Sequence, residues 1–270
     1  MIKPFNVLFY EKVRYNRNNF MALIPTFTVQ MNIYDILYIS YIIPEERLRP
    51  AVPDNISLVA PSQGKAIVSL VIFQSRNVRA SFFPLFRFSY YQANIRSYII
   101  DPLSKKNAVY FLRSGITSPF ISAVTNLLQI PWQSISIRLD TEYNKEESFS
   151  RFAVEGHWED EFNIVLKEKQ SPMMNPEPFN TSEEAIRFLT GPSVGFYNTS
   201  GGLIRFEVKH SEIKPSIGAI SAMRFPILLH SGLVTDEELL SPQSVLVAPD
   251  GHFRIYMPPT RLHLLKKEAL

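Results

Sequence analysis

Residues 92–131, QANIRSYIIDPLSKKNAVYFLRSGITSPFISAVTNLLQIP, decide the fold because two strand patterns, a turn and a helix follow one another there. In residues 92–100 apolar and polar side chains alternate with the period of two expected for a strand with two unlike faces. Pro102 and Asn107 mark a chain reversal, and residues 108–113 return as a second β-rich run. The pattern predicts a β-hairpin.

A helix is predicted directly after this hairpin. Ser118 suits the N-cap and Pro119 the first helical position. Apolar residues then recur at helical spacing until Pro131. We expect this helix to lie with one apolar face on the sheet.

Strand patterns continue along most of the chain. Alternating or nearly continuous apolar runs predict strands at residues 27–43, 66–73, 134–139, 151–158, 162–167 and 203–210. The aromatic run 82–91 predicts only partly regular structure. Residues 245–248 and 252–257, on either side of Pro249-Asp250-Gly251, predict a last hairpin.

Helices are predicted to be few and short. Residues 44–50 read as a short helical turn with Pro and acids at its start. Thr181 or Ser182 can cap a helix over residues 183–189, which Gly191 and Pro192 close.

The composition and the strand count together predict a mainly β (α+β) fold. The 270 residues include 20 Phe and 12 Tyr, which favour strands. Nine to eleven strands and two or three helices favour an antiparallel sheet that is closed or nearly closed into a β-barrel, with a two-sheet sandwich as the alternative. Residues 1–27 have no clear period and are predicted as an irregular lead-in to a single domain over residues 28–265.

Composition also excludes several classes of function. The net charge of +3 comes from scattered Lys and Arg, so no phosphate-binding stripe is present and nucleic acid is not expected as a partner. The chain has no Cys, no apolar run of 18 residues and no signal peptide, so we expect a cytoplasmic protein without a membrane partner.

No motif for a metal or a cofactor stands out. The histidines are too far apart for two of them to share one element at metal-binding spacing, and they are His157, His210, His230, His252 and His263. Gly201-Gly202 and Gly191-Pro192 are typical of turns and do not follow the Gly-rich strand-to-helix pattern of a phosphate-binding loop. We therefore predict no metal and no cofactor.

Five short segments, in order, carry a resemblance to a known family. They are residues 44–53, Asn94 to Tyr98 (NIRSY), Val109 to Leu112 (VYFL), Glu184 to Leu189 (EAIRFL, with Tyr197 following) and Phe253 to Pro259 (FRIYMPP). Their order and spacing resemble the YqjF-like branch of the acetoacetate decarboxylase superfamily. The resemblance implies a cone-shaped antiparallel β-barrel with a few flanking helices, whose interior forms the ligand pocket. Related decarboxylases assemble into large oligomers, which leaves a homo-oligomer open here.

The resemblance also allows us to ask whether the chain has the catalytic lysine of the decarboxylases. Acetoacetate decarboxylase works through a lysine that forms a Schiff base with a β-keto acid. Aligning Arg113 and Pro119 with the family's arginine and proline places Phe120 and Ile121 where its two lysines stand. The nearest lysines, Lys105 and Lys106, fall in the predicted turn. We therefore hypothesise that this chain lacks the Schiff-base lysine and is not an acetoacetate decarboxylase.

Candidate site residues follow from strand alternation inside a barrel. Asn94, Arg96 and Tyr98 share one face, so Arg96 could bind a substrate carboxylate with its two neighbours beside it. An outward face, with Arg96 paired to a neighbouring strand, is the alternative. Tyr110 and Arg113 are further substrate-binding candidates, and a regular strand would place them on opposite faces.

Proton transfer could come from a second pair. Glu155 and His157 are two residues apart on one strand face and are the catalytic candidates, with surface pairing as the alternative. The sequence thus predicts a pocket for a small anionic molecule, such as an oxo acid or a related carbonyl compound. An enzyme with non-covalent acid–base chemistry and a non-catalytic binding or scaffold protein both remain open.

Overall fold

The computed structural model describes residues 14–15, 26–127, 130–144, 148–168, 175–199 and 202–263, and thirteen strands dominate this part of the chain. The strands are β1 (Arg14–Tyr15), β2 (Phe27–Pro44), β3 (Lys65–Ala80), β4 (Phe83–Ile100), β5 (Asn107–Ile116), β6 (Trp132–Ser134), β7 (Ser136–Tyr143), β8 (Phe149–Trp158), β9 (Asp160–Glu168), β10 (Val194–Thr199), β11 (Gly202–His210), β12 (Ser216–Arg224) and β13 (Ser244–His263). Apart from β1, the predicted irregular lead-in over residues 1–27 lies almost wholly outside the described residues.

The helices are short. They are α1 (Glu45–Leu48), α2 (Pro119–Leu127), α3 (Ser182–Thr190), α4 (Pro226–His230) and α5 (Asp236–Leu239), with a 3-10 turn at Arg49–Ala51. None of the helices in the described ranges is long and apolar enough to cross a membrane.

Seven strands close into a barrel in the order β11-β10-β5-β4-β3-β2-β13. Closure comes from β13, which pairs with β2 along one edge, while its C-terminal half pairs antiparallel with β11 along the other. Neighbouring strands are antiparallel except β5 and β10. The closed ring confirms the predicted barrel and excludes the sandwich alternative.

A smaller antiparallel sheet, β12-β9-β8-β7, extends from the barrel. It joins through the N-terminal half of β13, where Ile217 pairs with Leu246, and it packs against one side of the barrel sheet. The resulting core, which we call the first core, contains Ala93, Ile95 and Ile99 of β4 together with Phe149 and Phe152 of β8. Since side chains alternate along a strand, the intervening residues of β4 face away from this sheet.

The segment that decides the fold is built as predicted. β4 and β5 form an antiparallel hairpin across the turn after Asp101. The backbone N–H of Ile121 donates to Ser118 Oγ at 3.3 Å, so Ser118 caps α2, and Pro119 is its first residue. Thr181 caps α3 by accepting a hydrogen bond from the N–H of Glu184 at 3.1 Å.

Two segments differ from the prediction. The aromatic run 82–91 was predicted to be only partly regular, but from Phe83 onward it forms the first half of the single strand β4. The N-terminal end of this strand carries exposed aromatic side chains. The prediction of a last hairpin is also wrong, because Pro249 lies inside one continuous strand, β13. Pairing with the 18-residue strand β2 overrides the local turn signal, since Ala248 pairs with Ile36 and Asp250 with Tyr34 on either side of the proline.

A buried ion pair ties the turn between β4 and β5 to β11. Asp101 is fully buried, and its Oδ2 accepts hydrogen bonds from Arg205 Nη2 at 2.9 Å and Nε at 3.2 Å. Asp101 also accepts from Ser104 Oγ at 2.6 Å and from the N–H of Leu103 at 2.9 Å. The carboxylate is thereby satisfied, as a buried charge must be.

Candidate functional site

One face of β4 carries a row of buried polar side chains, which we call the polar face: Gln92, Asn94, Arg96 and Tyr98. Gln92 is 7% exposed, Asn94 4% and Tyr98 1%, whereas Arg96 is half-buried. The row alternates with first-core residues and therefore faces away from the sheet β12-β9-β8-β7. Three residues that the sequence predicted for substrate binding thus lie together.

Arg96 lies at the C-terminal end of α3. Its Nη2 donates to the carbonyl oxygen of Leu189 at 2.7 Å, and its guanidinium carbon lies 5.3 Å from the ring centroid of Tyr38 and 5.7 Å from that of Tyr98. Its Nε is buried without a hydrogen-bond partner. None of the carboxylates in the described residues pairs with this cation. Arg96 therefore has no carboxylate partner among the described residues, and its Nε is a donor without an acceptor.

A chain of hydroxyl groups continues from the same place. Tyr98 Oη donates to the Leu189 carbonyl at 3.0 Å and lies 3.0 Å from Ser69 Oγ, which lies 2.8 Å from Ser40 Oγ. Because Tyr98 uses its single proton on Leu189, Ser69 must donate to Tyr98. Leu189 is thus held by two side chains of β4.

A second network lies next to Asn94. Asn94 Oδ1 accepts from Gln92 Nε2 at 2.9 Å and from Ser114 Oγ at 2.7 Å. Ser114 Oγ lies 2.9 Å from Tyr197 Oη, which accepts from Trp132 Nε1 at 2.7 Å. The network joins β4, β5, β6 and β10.

Burial keeps Tyr38 and Tyr197, two tyrosines near this face, protonated. It raises the pKa of Tyr38 above its ordinary value of 10.0, although the neighbouring Arg96 opposes the shift. It also raises the pKa of Tyr197, against the hydrogen bonds with Ser114 and Trp132. These hydroxyls therefore act as hydrogen-bond donors, not as bases, at neutral pH. The arrangement suits binding of an anion with polar substituents.

Tyr110 and Arg113 do not join the polar face. A β-bulge leaves Leu112 without a partner, because Arg96 pairs with Phe111 and Ile95 with Arg113. Tyr110, which pairs with Ser97, and Arg113 therefore both lie on the first-core side of β5, whereas a regular strand would have placed them on opposite faces.

Tyr110 and Arg113 have different surroundings on the first-core side of β5. Tyr110 is 2% exposed in the first core, and burial raises its pKa to about 12. Arg113 pairs with Glu159, donates to Gln133 Oε1 at 3.1 Å and lies 6.0 Å from the ring centroid of Trp158. Both residues thus have structural partners.

Glu155 and His157 lie on the outer face of β8, within the four-stranded sheet. Both are exposed, and Glu155 pairs with Arg138 at 3.4 Å. A cavity of about 680 Å³ covers this face and includes both side chains and Arg138. The structure does not bring these two proton-transfer candidates together with Arg96.

The described lysines all have exposed side chains. They are Lys65, Lys105, Lys106, Lys167, Lys209 and Lys214. Phe120, at one of the two positions aligned with the family's lysines, is 67% exposed, and Ile121 packs against a hydrophobic cluster. Among the residues the structure describes, no three His, Asp or Glu side chains form a group able to hold a metal ion.

Sequence reasoning missed Ser114, Tyr197 and Trp132. Tyr197 belongs to β10, which has no strong strand pattern, and its position depends on the parallel pairing of β10 with β5. The parallel pairing of β5 with β6 places Trp132 opposite Ser114. No local signal reports such pairings between distant segments.

The comparisons with known proteins agree with this architecture. The profile of the family DUF2071, described as an uncharacterized conserved protein, matches residues 30–251. None of the curated proteins that were compared matches the chain.

Solved structures of similar fold include three instructive cases. An acetoacetate decarboxylase-like enzyme from Sphingomonas wittichii RW1 is 14% identical, with a TM-score of 0.56 over 88% of this chain and 94% of that one. The enduracididine biosynthesis enzyme MppR complexed with pyruvate is 12% identical, with a TM-score of 0.51 over 91% and 92%. Acetoacetate decarboxylase from Legionella pneumophila is 10% identical, with a TM-score of 0.50 over 88% and 87%. At these identities the likeness shows the fold alone.

Proposed function

The chain belongs to the DUF2071 family and has an acetoacetate decarboxylase-like barrel, and from this premise we propose that it binds a small organic anion on the polar face, with Arg96 as the carboxylate anchor. The ligand class is an oxo acid or a related carbonyl compound. The observation that carries the proposal is that Arg96 is half-buried and forms no ion pair with any described carboxylate.

Physical chemistry supports an anion as the occupant. A guanidinium presents five donors in a planar fork that matches a carboxylate, and here one nitrogen bonds Leu189 while Nε has no partner. Partial burial strengthens a charged hydrogen bond relative to water. Tyr38 and Tyr98 border the cation, and burial keeps the hydroxyl of Tyr38 protonated, which suits a negatively charged neighbour.

Thermal unfolding with a panel of small carboxylates, oxo acids and their uncharged amides tests this proposal. A ligand at 100 times its Kd should raise the Tm by roughly 5–10 °C for a chain of this size. We expect the rise with acids only, and we expect Arg96→Ala to abolish it relative to that variant's own ligand-free Tm.

Arg138→Ala is the matched control. Arg138 is exposed and lines the cavity over the four-stranded sheet, so its removal should leave the ligand-induced shift unchanged. Loss of the shift in Arg138→Ala but not in Arg96→Ala would move the site to that cavity. A panel without any stabilising acid would overturn the proposal.

We further propose that the chemistry does not pass through a lysine Schiff base. The exposed positions of the described lysines support this, since a nucleophilic amine needs an apolar site or a neighbouring cation that lowers its pKa. Borohydride reduction with labelled acetoacetate should leave no label on the chain, whereas the Legionella decarboxylase serves as positive control. A labelled lysine would contradict the proposal.

Non-catalytic binding is the second candidate function. It is favoured by the positions of Glu155 and His157, which face solvent on the outer face of β8 and not the polar face. Proton NMR of each stabilising acid, incubated with stoichiometric protein, should then show no conversion. Conversion of an acid by the unaltered protein that is lost in Glu155→Gln or His157→Gln would instead support an enzyme with acid–base chemistry.

A further inference from the structure

We propose that Asn94 recognises the carbonyl oxygen of an oxo acid bound at Arg96, and that Trp132, Tyr197 and Ser114 are positioning residues that fix its amide with the nitrogen free to donate. The inference rests on the anion site proposed above and names the group that would distinguish the substrate from a simple carboxylate.

The orientation of the amide follows from Trp132. An indole N–H can only donate, so Tyr197 Oη must accept from it at 2.7 Å. Ser114 Oγ, at 2.9 Å, is the acceptor that the described residues provide for the proton of Tyr197. Ser114 then has its own proton left to donate.

That proton determines which atom of Asn94 faces the network. Ser114 Oγ donates to the atom 2.7 Å away, which must therefore be the amide oxygen, Oδ1. Gln92 Nε2 donates to the same oxygen at 2.9 Å. The nitrogen of Asn94 points away from both donors, and none of the described residues accepts a hydrogen bond from it.

Asn94 is only 4% exposed, yet its side-chain nitrogen is not among the fully enclosed side-chain atoms of the described residues that lack a partner, so this donor keeps access from outside the protein. A bound acceptor would give it the hydrogen bond that amide groups in proteins normally have. Arg96 is two residues further on the same strand face, about 7 Å away along the strand. A small acid with an oxygen near its carboxylate could therefore contact both side chains.

The test compares acids that differ only in that oxygen. Affinities for 2-oxobutanoate, 3-oxobutanoate, the corresponding hydroxy acids and butanoate are measured by titration calorimetry. One added hydrogen bond corresponds to about tenfold, so we expect one oxo acid to bind about ten times more tightly than butanoate. The affinity of the hydroxy acid should rise less, because its hydroxyl group also carries a proton that needs an acceptor of its own on binding.

Two variants connect the preference to the network. Asn94→Leu, of similar size, should bind the oxo acid no better than butanoate, so that the ratio of the two affinities falls to about one. Ser114→Ala removes one of the two donors that hold Asn94 Oδ1 and leaves only Gln92, so it should reduce the preference by several fold. It also provides the test if Asn94→Leu does not fold. Because butanoate lacks the carbonyl oxygen, a purely structural role of Asn94 would change both affinities by the same factor and leave their ratio as it is in the unaltered protein.

The outcomes separate the two proposals. If no carboxylate binds the unaltered protein, the anion site itself fails. If butanoate binds through Arg96 but oxo acids show no preference, or the preference persists in both variants, only the role of Asn94 is overturned.

Discussion

Arg96 Nη2 donates a 2.7 Å hydrogen bond to the carbonyl oxygen of Leu189, 93 residues further along the chain. Leu189 belongs to the last turn of α3, where carbonyl groups lack intrahelical partners and the helix dipole is negative. A cation is favourable at such a position. The contact therefore holds α3 on the barrel and places the proposed anchor beside a fixed backbone atom.

Tyr98→Phe should lower the free energy of unfolding by about 1–3 kcal/mol. The variant removes the second donor to Leu189 and one of the two hydrogen-bond partners of the buried Ser69 hydroxyl, which keeps only Ser40. Urea denaturation measures the change. Tyr256→Phe is the control, because Tyr256 is 42% exposed, and its change should stay within about 0.5 kcal/mol. Equal effects in the two variants would contradict the buried network.

Gly156→Ala should cost at least about 3 kcal/mol of stability. A Cβ at Gly156 would lie 2.0 Å from the backbone oxygen of Ser136 and 2.8 Å from Phe162 Cζ, and the backbone of β7 cannot move away without breaking its pairing with β8. Gly64→Ala is the control. Gly64 has φ of +68° and no atom within 4 Å of the added carbon, so only the left-handed conformation should matter, at about 1–2 kcal/mol. A larger loss for Gly64→Ala in urea denaturation would refute the steric argument.

The sequence was sufficient for the barrel and for one side of the candidate site. A period of two puts Asn94, Arg96 and Tyr98 on one strand face, and the structure has them there. Capping chemistry at Ser118 and Thr181 gave the helix starts. These signals are local, so a single sequence contains them.

Features that depend on pairing between segments could not be read in this way. The sheet face on which Arg113 lies depends on the bulge at Leu112, and no glycine or proline next to Leu112 predicts a bulge there. Pro249 suggested a turn, yet pairing with β2 keeps β13 continuous. The position of Tyr197 beside Ser114 needs the relative placement of β5 and β10, which the fold alone supplies.

Tryptophan fluorescence should report binding at the polar face. The chain has two Trp residues: Trp132 donates to Tyr197 in the Asn94 network, and Trp158 lies in the first core and donates to Gln133. A stabilising acid should change the emission of Trp158→Phe, where Trp132 alone emits. It should leave the emission of Trp132→Phe unchanged. The reverse pattern would place the ligand on the first-core side.

The Asp101–Arg205 ion pair should make stability depend on acidic pH. Burial alone would raise the pKa of Asp101, but hydrogen bonds from Arg205, Ser104 and the backbone of Leu103 lower it below its ordinary value of 3.8. The pair's contribution is therefore fully present above pH 3.8 and is lost as pH falls through the lower folded-state value.

Asp101→Asn should accordingly cost about 1.5–3 kcal/mol at pH 7, because the guanidinium of Arg205, 10% exposed, loses its buried carboxylate and keeps only its ion pair with the exposed Glu207. Asp140→Asn is the control: the Asp140–Arg151 pair has a similar length, 2.8 Å against 2.9 Å, but it is exposed, and its loss should cost less than about 1 kcal/mol. Urea denaturation of the three proteins from pH 7 to pH 3 tests both statements. The gap between the unaltered protein and Asp101→Asn should narrow in acid, since protonation of Asp101 removes the same charge that the substitution removes. A gap that stays constant over this range would show that lost packing, and not the carboxylate charge, accounts for the cost.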